Sequence, residues 1–161
     1  MDSIIAFLAE YFYLGVVALA LVVILWFYRR RLPELAIAGV IIAGLSYLLS
    51  ILATDLISDP RPFIQTGIAP LIQSATDNGF PSDHTLLLGI VAAVITLASW
   101  RTGLIFWGLA LLVGLARVYA RVHHLADVIG SFGIVLIVLG VYLIGRQLYQ
   151  RWRKAQIAPK L

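Results

Sequence analysis

The chain has no cysteine among its 161 residues, so a disulfide, a thiolate metal site and a cysteine nucleophile are all excluded. Charge is scarce as well. Only 12% of residues are Asp, Glu, Lys or Arg, against about 25% in an ordinary soluble domain, which argues against a soluble monomer. What is abundant is apolar: 61% of the chain, with a mean hydropathy of +0.97, in recurring runs long enough to cross ~30 Å of hydrocarbon. A polytopic, all-α transmembrane helix bundle follows. At ~20 residues per span the length leaves no room for a second, soluble domain, and residues 1–161 are read as one membrane-embedded domain.

Apolar runs bounded by charge or by Pro and Gly predict five spans, at residues 4–28, 35–57, 84–100, 103–119 and 128–148. Met1-Asp2-Ser3 lacks a basic leader and the first run is too long for a cleaved signal, so it is expected to stay as a helix. One long connection, residues 58–83, carries Pro60, Pro62, Gly67, Pro70, Gly79 and Pro81, and a loop of that length usually has a function. Five crossings sort the charge. Of the 12 Lys and Arg residues, Arg29, Arg30, Arg31, Arg101, Arg146, Arg151, Arg153, Lys154 and Lys160 fall on one face, which the positive-inside rule makes cytoplasmic, together with the C-terminus. Trp26, Trp100, Trp107 and Trp152 lie toward that side, either as interfacial anchors or as packing residues, and support the span boundaries.

The opposite, outer face holds Arg61, Arg117 and Arg121, all three histidines (His84, His123, His124) and Asp55, Asp59, Asp77, Asp83 and Asp127. Arg117 and Asp127 fall at span ends, where charge is costly unless paired or facing a wet cavity, so this end is the expected functional site. Two arginines suit a tetrahedral oxyanion, because each guanidinium presents a planar fork of donors. Pro81-Ser82 opening a helix adds free backbone N–H groups and a positive dipole end, with the Ser82 hydroxyl either capping or touching the ligand. His123 and Asp127 are four apart, so the carboxylate can fix the imidazole tautomer and leave the other nitrogen as a nucleophile toward phosphorus. His84 is placed to protonate the leaving oxygen. Zinc is disfavoured: His123 and His124 are adjacent, and no His-x-x-x-His pair exists.

Arg61-Pro62, then Pro81-Ser82-Asp83-His84, then Ala116-Arg117 followed after five residues by His123 and after three more by Asp127 form an ordered set. It resembles the three-part signature of the type 2 phosphatidic acid phosphatases, K-x6-R-P, P-S-G-H and S-R-x5-H-x3-D, and spans residues 54–127. The resemblance implies removal of phosphate from a lipid phosphate or pyrophosphate without metal or cofactor. It makes His123 the nucleophile, Asp127 its orienting partner and His84 the general acid, with Arg61, Arg117, Ser82 and the backbone at Asp83 holding the phosphate. His124 breaks the motif spacing and is a neighbour of the site.

Three departures stand out. Thr54 occupies the family lysine position, and Arg121 is the candidate replacement cation. Asp83 replaces the motif glycine, a variant similar to undecaprenyl pyrophosphate phosphatases of the bacitracin-resistance type. Ala116 replaces the serine before the arginine. Spans three and four, about 17 apolar residues or ~25 Å each, set the site slightly below the headgroup plane, suiting a lipid-borne phosphate. Phe63, Ile64, Ile68, Leu71 and Ile72 either form an interfacial lid or pack on the bundle. The first expectation is therefore a phosphatase of undecaprenyl pyrophosphate or a related lipid phosphate at the outer face of the cytoplasmic membrane. A lipid phosphotransferase and a noncatalytic lipid-phosphate binding or transport protein are the alternatives. The expected partners are the lipid substrate and the bilayer, not nucleic acid; the oligomeric state is left open.

Overall fold

The computed structural model describes residues 1–157, so Lys160 lies outside the described residues. The helices are α1 (Asp2–Glu10), α2 (Phe12–Phe27), α3 (Leu32–Leu56) preceded by a 3-10 turn at Arg29–Arg31, the short α4 (Pro62–Thr66), α5 (Asp83–Ala98), α6 (Trp100–Tyr119) and α7 (Leu125–Ile157). The segment Arg29–Leu56, α6 and α7 are each long and apolar enough to cross a membrane, the α1–α2 pair adds a bent candidate, and α5 is a shorter apolar helix. Long apolar runs become helices because hydrocarbon offers no partner to a backbone N–H or C=O, and a helix satisfies those groups internally.

Packing in this bundle is inverted relative to a soluble protein. The interior is rich in small side chains, including Ala9, Ala20, Ala38, Ala92, Ala93, Ala110 and Ala116, while large residues such as Val40, Leu104, Ile105, Ile137 and Ile144 point outward. Burying a leucine gains little when its alternative is a lipid tail, so small residues that let backbones approach carry the helix contacts. The tightest case is the α5–α6 hairpin. Ser99 alone separates the two helices, in extended conformation, and its side chain caps α6 by accepting from Thr102 N–H at 3.3 Å. A methyl group on Gly103 would come within 2.7 Å of the Thr96 Cα and would also strike Thr96 Oγ1.

Polar contacts identify the two ends. At one end Glu34 pairs with Arg31 at 3.0 Å and with Arg146, Arg31 also donates to the Ala98 carbonyl at 3.1 Å, and Tyr28 bonds Thr102 at 2.8 Å. These bonds tie the start of α3 to the end of α5 and the distal half of α7, and the end of α2 to the start of α6. All three motif segments lie at the other end.

Two span expectations change. The predicted first span, 4–28, is two helices bent by 50° at the break around Tyr11. The last helix begins at Leu125 and runs 33 residues, roughly 50 Å at 1.5 Å per residue, so much of the basic C-terminal segment continues the helix. Trp107 is a packing residue: its indole N–H donates to Thr96 Oγ1 at 3.2 Å and its ring meets Phe132 edge-on at 5.6 Å.

Replacing Gly103 with Ala should overpack the α5–α6 crossing and cost about 1–3 kcal/mol, seen as a lower thermal midpoint in detergent. Gly108→Ala, on the same helix with no atom within 4 Å of the added carbon, should leave the midpoint unchanged. Equal behaviour of the two variants would contradict this packing.

Candidate active site

The site is built where α5 and α7 begin, where α6 ends, and where the 58–82 loop folds over them. Its centre is the turn between α6 and α7. Arg121 adopts a left-handed conformation, φ 65°, which reverses the chain and lets Val122 N–H bond the Arg117 carbonyl at 3.2 Å. His123 follows, 2% exposed. Asp127, in the first turn of α7, reaches back to accept the His124 backbone N–H at 2.8 Å, the reach-back half of a capping box.

The surroundings of His123 fix its tautomer. Nδ1 lies 2.9 Å from the Gly79 carbonyl and 3.2 Å from Asp127 Oδ2. Both neighbours only accept, so Nδ1 must carry the proton. Nε2 is then left with its lone pair, and two cations face it: Arg61 Nη1 at 3.3 Å and Arg117 Nη2 at 3.4 Å. Burial, reinforced by these guanidinium charges, holds the His123 pKa below the ordinary imidazole value, against the opposing pull of Asp127.

Each arginine is anchored from behind. Arg61, 6% exposed, gives Nη1 to the Val122 carbonyl at 3.0 Å and its Nε and Nη2 to Asp77 Oδ1 at 3.0 and 2.8 Å. Arg117 gives Nη1 to the Ala9 carbonyl at 3.0 Å. That carbonyl is free because the break after Glu10 removes the helical N–H that would otherwise claim it. Arg117 Nε has no acceptor among the described residues. Arg61 and Arg117 line a cavity of about 490 Å³ together with His84, Asp83, Tyr13 and Glu10. The His84 ring is held edge-on to Tyr13, centroids 4.5 Å apart.

The loop is bound as firmly as the helices. Asn78 accepts Asp59 N–H at 2.9 Å and donates to the carbonyls of Thr54 at 3.0 Å and Ile57 at 2.6 Å, satisfying the open C-terminus of α3. Gly79 N–H bonds the Asp59 carbonyl at 2.8 Å. A Cβ at Gly79 would lie 3.1 Å from that carbonyl, 3.3 Å from Arg61 Cγ and 3.3 Å from Asp127 Oδ2, so a side chain here would require those neighbours to give by a few tenths of an ångström.

The structure thus brings together Arg61, His84, Arg117, His123 and Asp127. Of these, Arg61, His84 and Arg117 line the cavity, while His123 and Asp127 are buried behind the two guanidinium groups; Ser82 and Arg121 do not line it either. Ser82 is fully buried, accepts from Thr85 Oγ1 at 3.1 Å and makes no side-chain cap bond. Arg121 turns to the loop and donates to the Ala69 carbonyl at 2.9 Å, so it does not stand in for the absent lysine. Thr54, at that lysine position, bonds the carbonyls of Ser50 and Phe80 at 2.9 and 3.0 Å. Of the apolar loop residues, Leu71 and Ile72 pack with Ala9, Ala116, Ala120 and Val122, while Ile64 and Ile68 are exposed.

The sequence profile of the PAP2 superfamily matches residues 34–151. The chain belongs to the PAP2 superfamily. It is 35% identical over 147 residues to the undecaprenyl-diphosphatase BcrC of Bacillus subtilis (strain 168), covering 86% of this chain and 71% of that protein. A Bacillus licheniformis protein named bacitracin transport permease protein BcrC is 33% identical over 146 residues, covering 89% and 70%. Among solved structures, LpxE of Aquifex aeolicus superposes with a TM-score of 0.66 at 23% identity, over 88% of this chain and 82% of that one. A PAP2-type phosphatidylglycerolphosphate phosphatase from Bacillus subtilis superposes with a TM-score of 0.56 at 19% identity, over 91% and 82%. The two structural likenesses show the PAP2 helical fold, and family and relatives together make this a multi-pass membrane phosphatase of lipid phosphates. The superfamily match excludes α1, although α1 supplies the carbonyl that holds Arg117.

The depressed His123 pKa has a directional consequence. Lowering pH through 6.5 should leave His123 neutral, and protonation of Nε2 should follow only at a lower pH, measurable by NMR with labelled imidazole nitrogens. A midpoint above the ordinary value would contradict the arrangement of two cations around a buried ring.

Proposed function

We propose that this PAP2 protein hydrolyses undecaprenyl diphosphate or a closely related lipid phosphate through a phosphohistidine on His123. The observation that carries the proposal is the orientation of one ring: Nδ1 is held by two acceptors while Nε2 faces two guanidinium groups. In the reaction the Nε2 lone pair attacks phosphorus, the bond from phosphorus to the leaving oxygen breaks, and His84 gives that oxygen a proton. Arg61 and Arg117 balance the charge spread over the non-bridging oxygens. Asp127 supports the cationic ring that forms. His84 then takes a proton from water, water oxygen attacks phosphorus, and the P–N bond breaks to release inorganic phosphate and regenerate His123. With a lipid diphosphate the first leaving group is the lipid monophosphate.

Charge supports a sidedness. Arg29, Arg30, Arg31, Arg101, Arg146, Arg151, Arg153 and Lys154 belong to the end opposite the cavity, which supports a cytoplasmic C-terminus and a site on the extracytoplasmic face of the cytoplasmic membrane. The cavity then meets headgroups from the outer leaflet, and the lipid tail stays in the bilayer. The diphosphatase activity named for the B. subtilis relative supports the choice of headgroup and tail. The transport name of the B. licheniformis relative favours a second reading, lipid-phosphate binding without turnover. A phosphotransferase would pass the phosphoryl group to an acceptor other than water.

Detergent-solubilised protein should release inorganic phosphate from undecaprenyl diphosphate in the presence of a chelator, because guanidinium groups perform the charge balancing. His84→Ala should slow release by roughly 10²–10⁴-fold, and His123→Ala should bring it to background. Full activity in His123→Ala would remove the nucleophile, and binding without release in the unmodified protein would favour the transport reading.

A further inference from the structure

Asp127 presents an unbalanced account of its hydrogen bonds. It is completely buried, and Oδ2 takes two donors, the His123 ring and the His124 backbone N–H. Oδ1 is equally buried and has no donor among the described residues. An ionised carboxylate oxygen in that position is expensive, because the desolvation penalty is met by no bond. Two neighbouring side chains can carry a proton, Asp59 and His124, and the His124 ring nitrogen is close to Asp59. Ligand-type atoms of Asp59, His124 and Asp127 all lie within 4.8 Å of one another, and His124 Nδ1 lies 3.2 Å from Asp59 Oδ2.

Asp59 is not on a loose segment. Its N–H is bound to Asn78 Oδ1 at 2.9 Å, its carbonyl accepts Gly79 N–H at 2.8 Å, and Pro60 follows, restricting its backbone to extended conformations. The same Gly79 offers its carbonyl to His123 Nδ1. One short stretch of paired loop therefore delivers both the Asp59 carboxyl and a second acceptor for the ring.

We infer that Asp59 is a positioning residue for the phosphatase reaction: its carboxyl group, carrying a proton, donates a hydrogen bond to Asp127 Oδ1 and fixes the carboxylate that orients His123. The inference rests on the reading of His123 as nucleophile. Two carboxyl groups this close do not both ionise without a large penalty, so one proton is shared between them. Burial, and then the contact with Asp127, push Asp59 above the ordinary carboxyl range, with His124 pulling the other way. The other charged group near Asp59, Arg61, is engaged by Asp77, Val122 and His123. A divalent cation among the same three side chains would be a different device. It would draw electron density from the carboxylate that must support an imidazolium, working against the reaction.

Asp59→Ala, Asp59→Asn and wild-type protein, each checked for monodispersity in detergent, separate these possibilities with farnesyl diphosphate as the probe. Asparagine keeps an N–H donor for Oδ1 and cannot ionise; alanine offers none. Asp59→Ala should lose kcat by about 10- to 100-fold, the scale of a misplaced catalytic group, with KM nearly constant. Asp59→Asn should recover the larger part of that loss. The His123 Nδ1–H resonance should persist downfield in wild type and in the asparagine variant, and broaden or shift in the alanine variant. Unchanged kcat in Asp59→Ala, equal damage in both variants, or a wild-type rate that falls on chelation and returns with a divalent cation would each overturn the inference. A dead His123→Ala beside an unaffected Asp59→Ala would sink the role of Asp59 alone, whereas an active His123→Ala would sink the nucleophile reading itself.

Discussion

A single imidazole, shut away from solvent and held at one nitrogen by two acceptors, sets the terms for everything around it. Once the Gly79 carbonyl and Asp127 claim Nδ1 of His123, the lone pair on Nε2 has only one direction to face, and the two guanidinium groups define what can approach it. Each holding group demands its own support. The absence of a side chain at Gly79 lets the loop come so near without crowding, Asp127 must start a helix so that it can reach back, and Arg117 must find a carbonyl that no helix has used. The bend between α1 and α2, which looks like an irregularity in a membrane span, supplies that carbonyl. In a buried setting an unmet polar group is costly, so these supports act as one network.

The helical scaffold meets a different constraint. With lipid on the outside, apolar area gives no direction to the fold, and contact is settled by where small residues sit. The α5–α6 hairpin shows the result: one capping serine, one glycine against Thr96, and helices close enough to place the start of α5 and the end of α6 side by side. That proximity gives His84 and Arg117 a common cavity.

Much of this could be read from the chain alone. Charge scarcity and recurring apolar runs made the all-helical membrane bundle visible, because the transfer cost of a bare backbone leaves few other solutions. The alternation of crossings put 61, 84, 117, 123 and 127 at one end before any coordinates. What was hidden depended on geometry without periodicity. Hydropathy does not register a 50° bend when a single charge, Glu10, sits at the break inside an otherwise apolar run. The anchoring carbonyls of Ala9, Val122 and Gly79 belong to the backbone, so no side chain announces them. Asn78-Gly79 carried a turn signal, yet its neighbours could not be known. The surroundings of Arg121 and Ser82 were equally illegible: the charge turns to the loop and the hydroxyl is buried beneath α5. For Trp107, hydropathy leaves interfacial anchoring and packing equally open, and its bond to Thr96 decides for packing.

Covalent capture is the most direct examination of the arrangement. Rapid acid-free quenching during turnover of a lipid diphosphate labelled in its terminal phosphate, followed by peptide mass spectrometry, should find an acid-labile phosphoryl group on Nε2 of His123. Label on Nδ1, label on another residue, or turnover with no labelled protein at any time point would contradict the account.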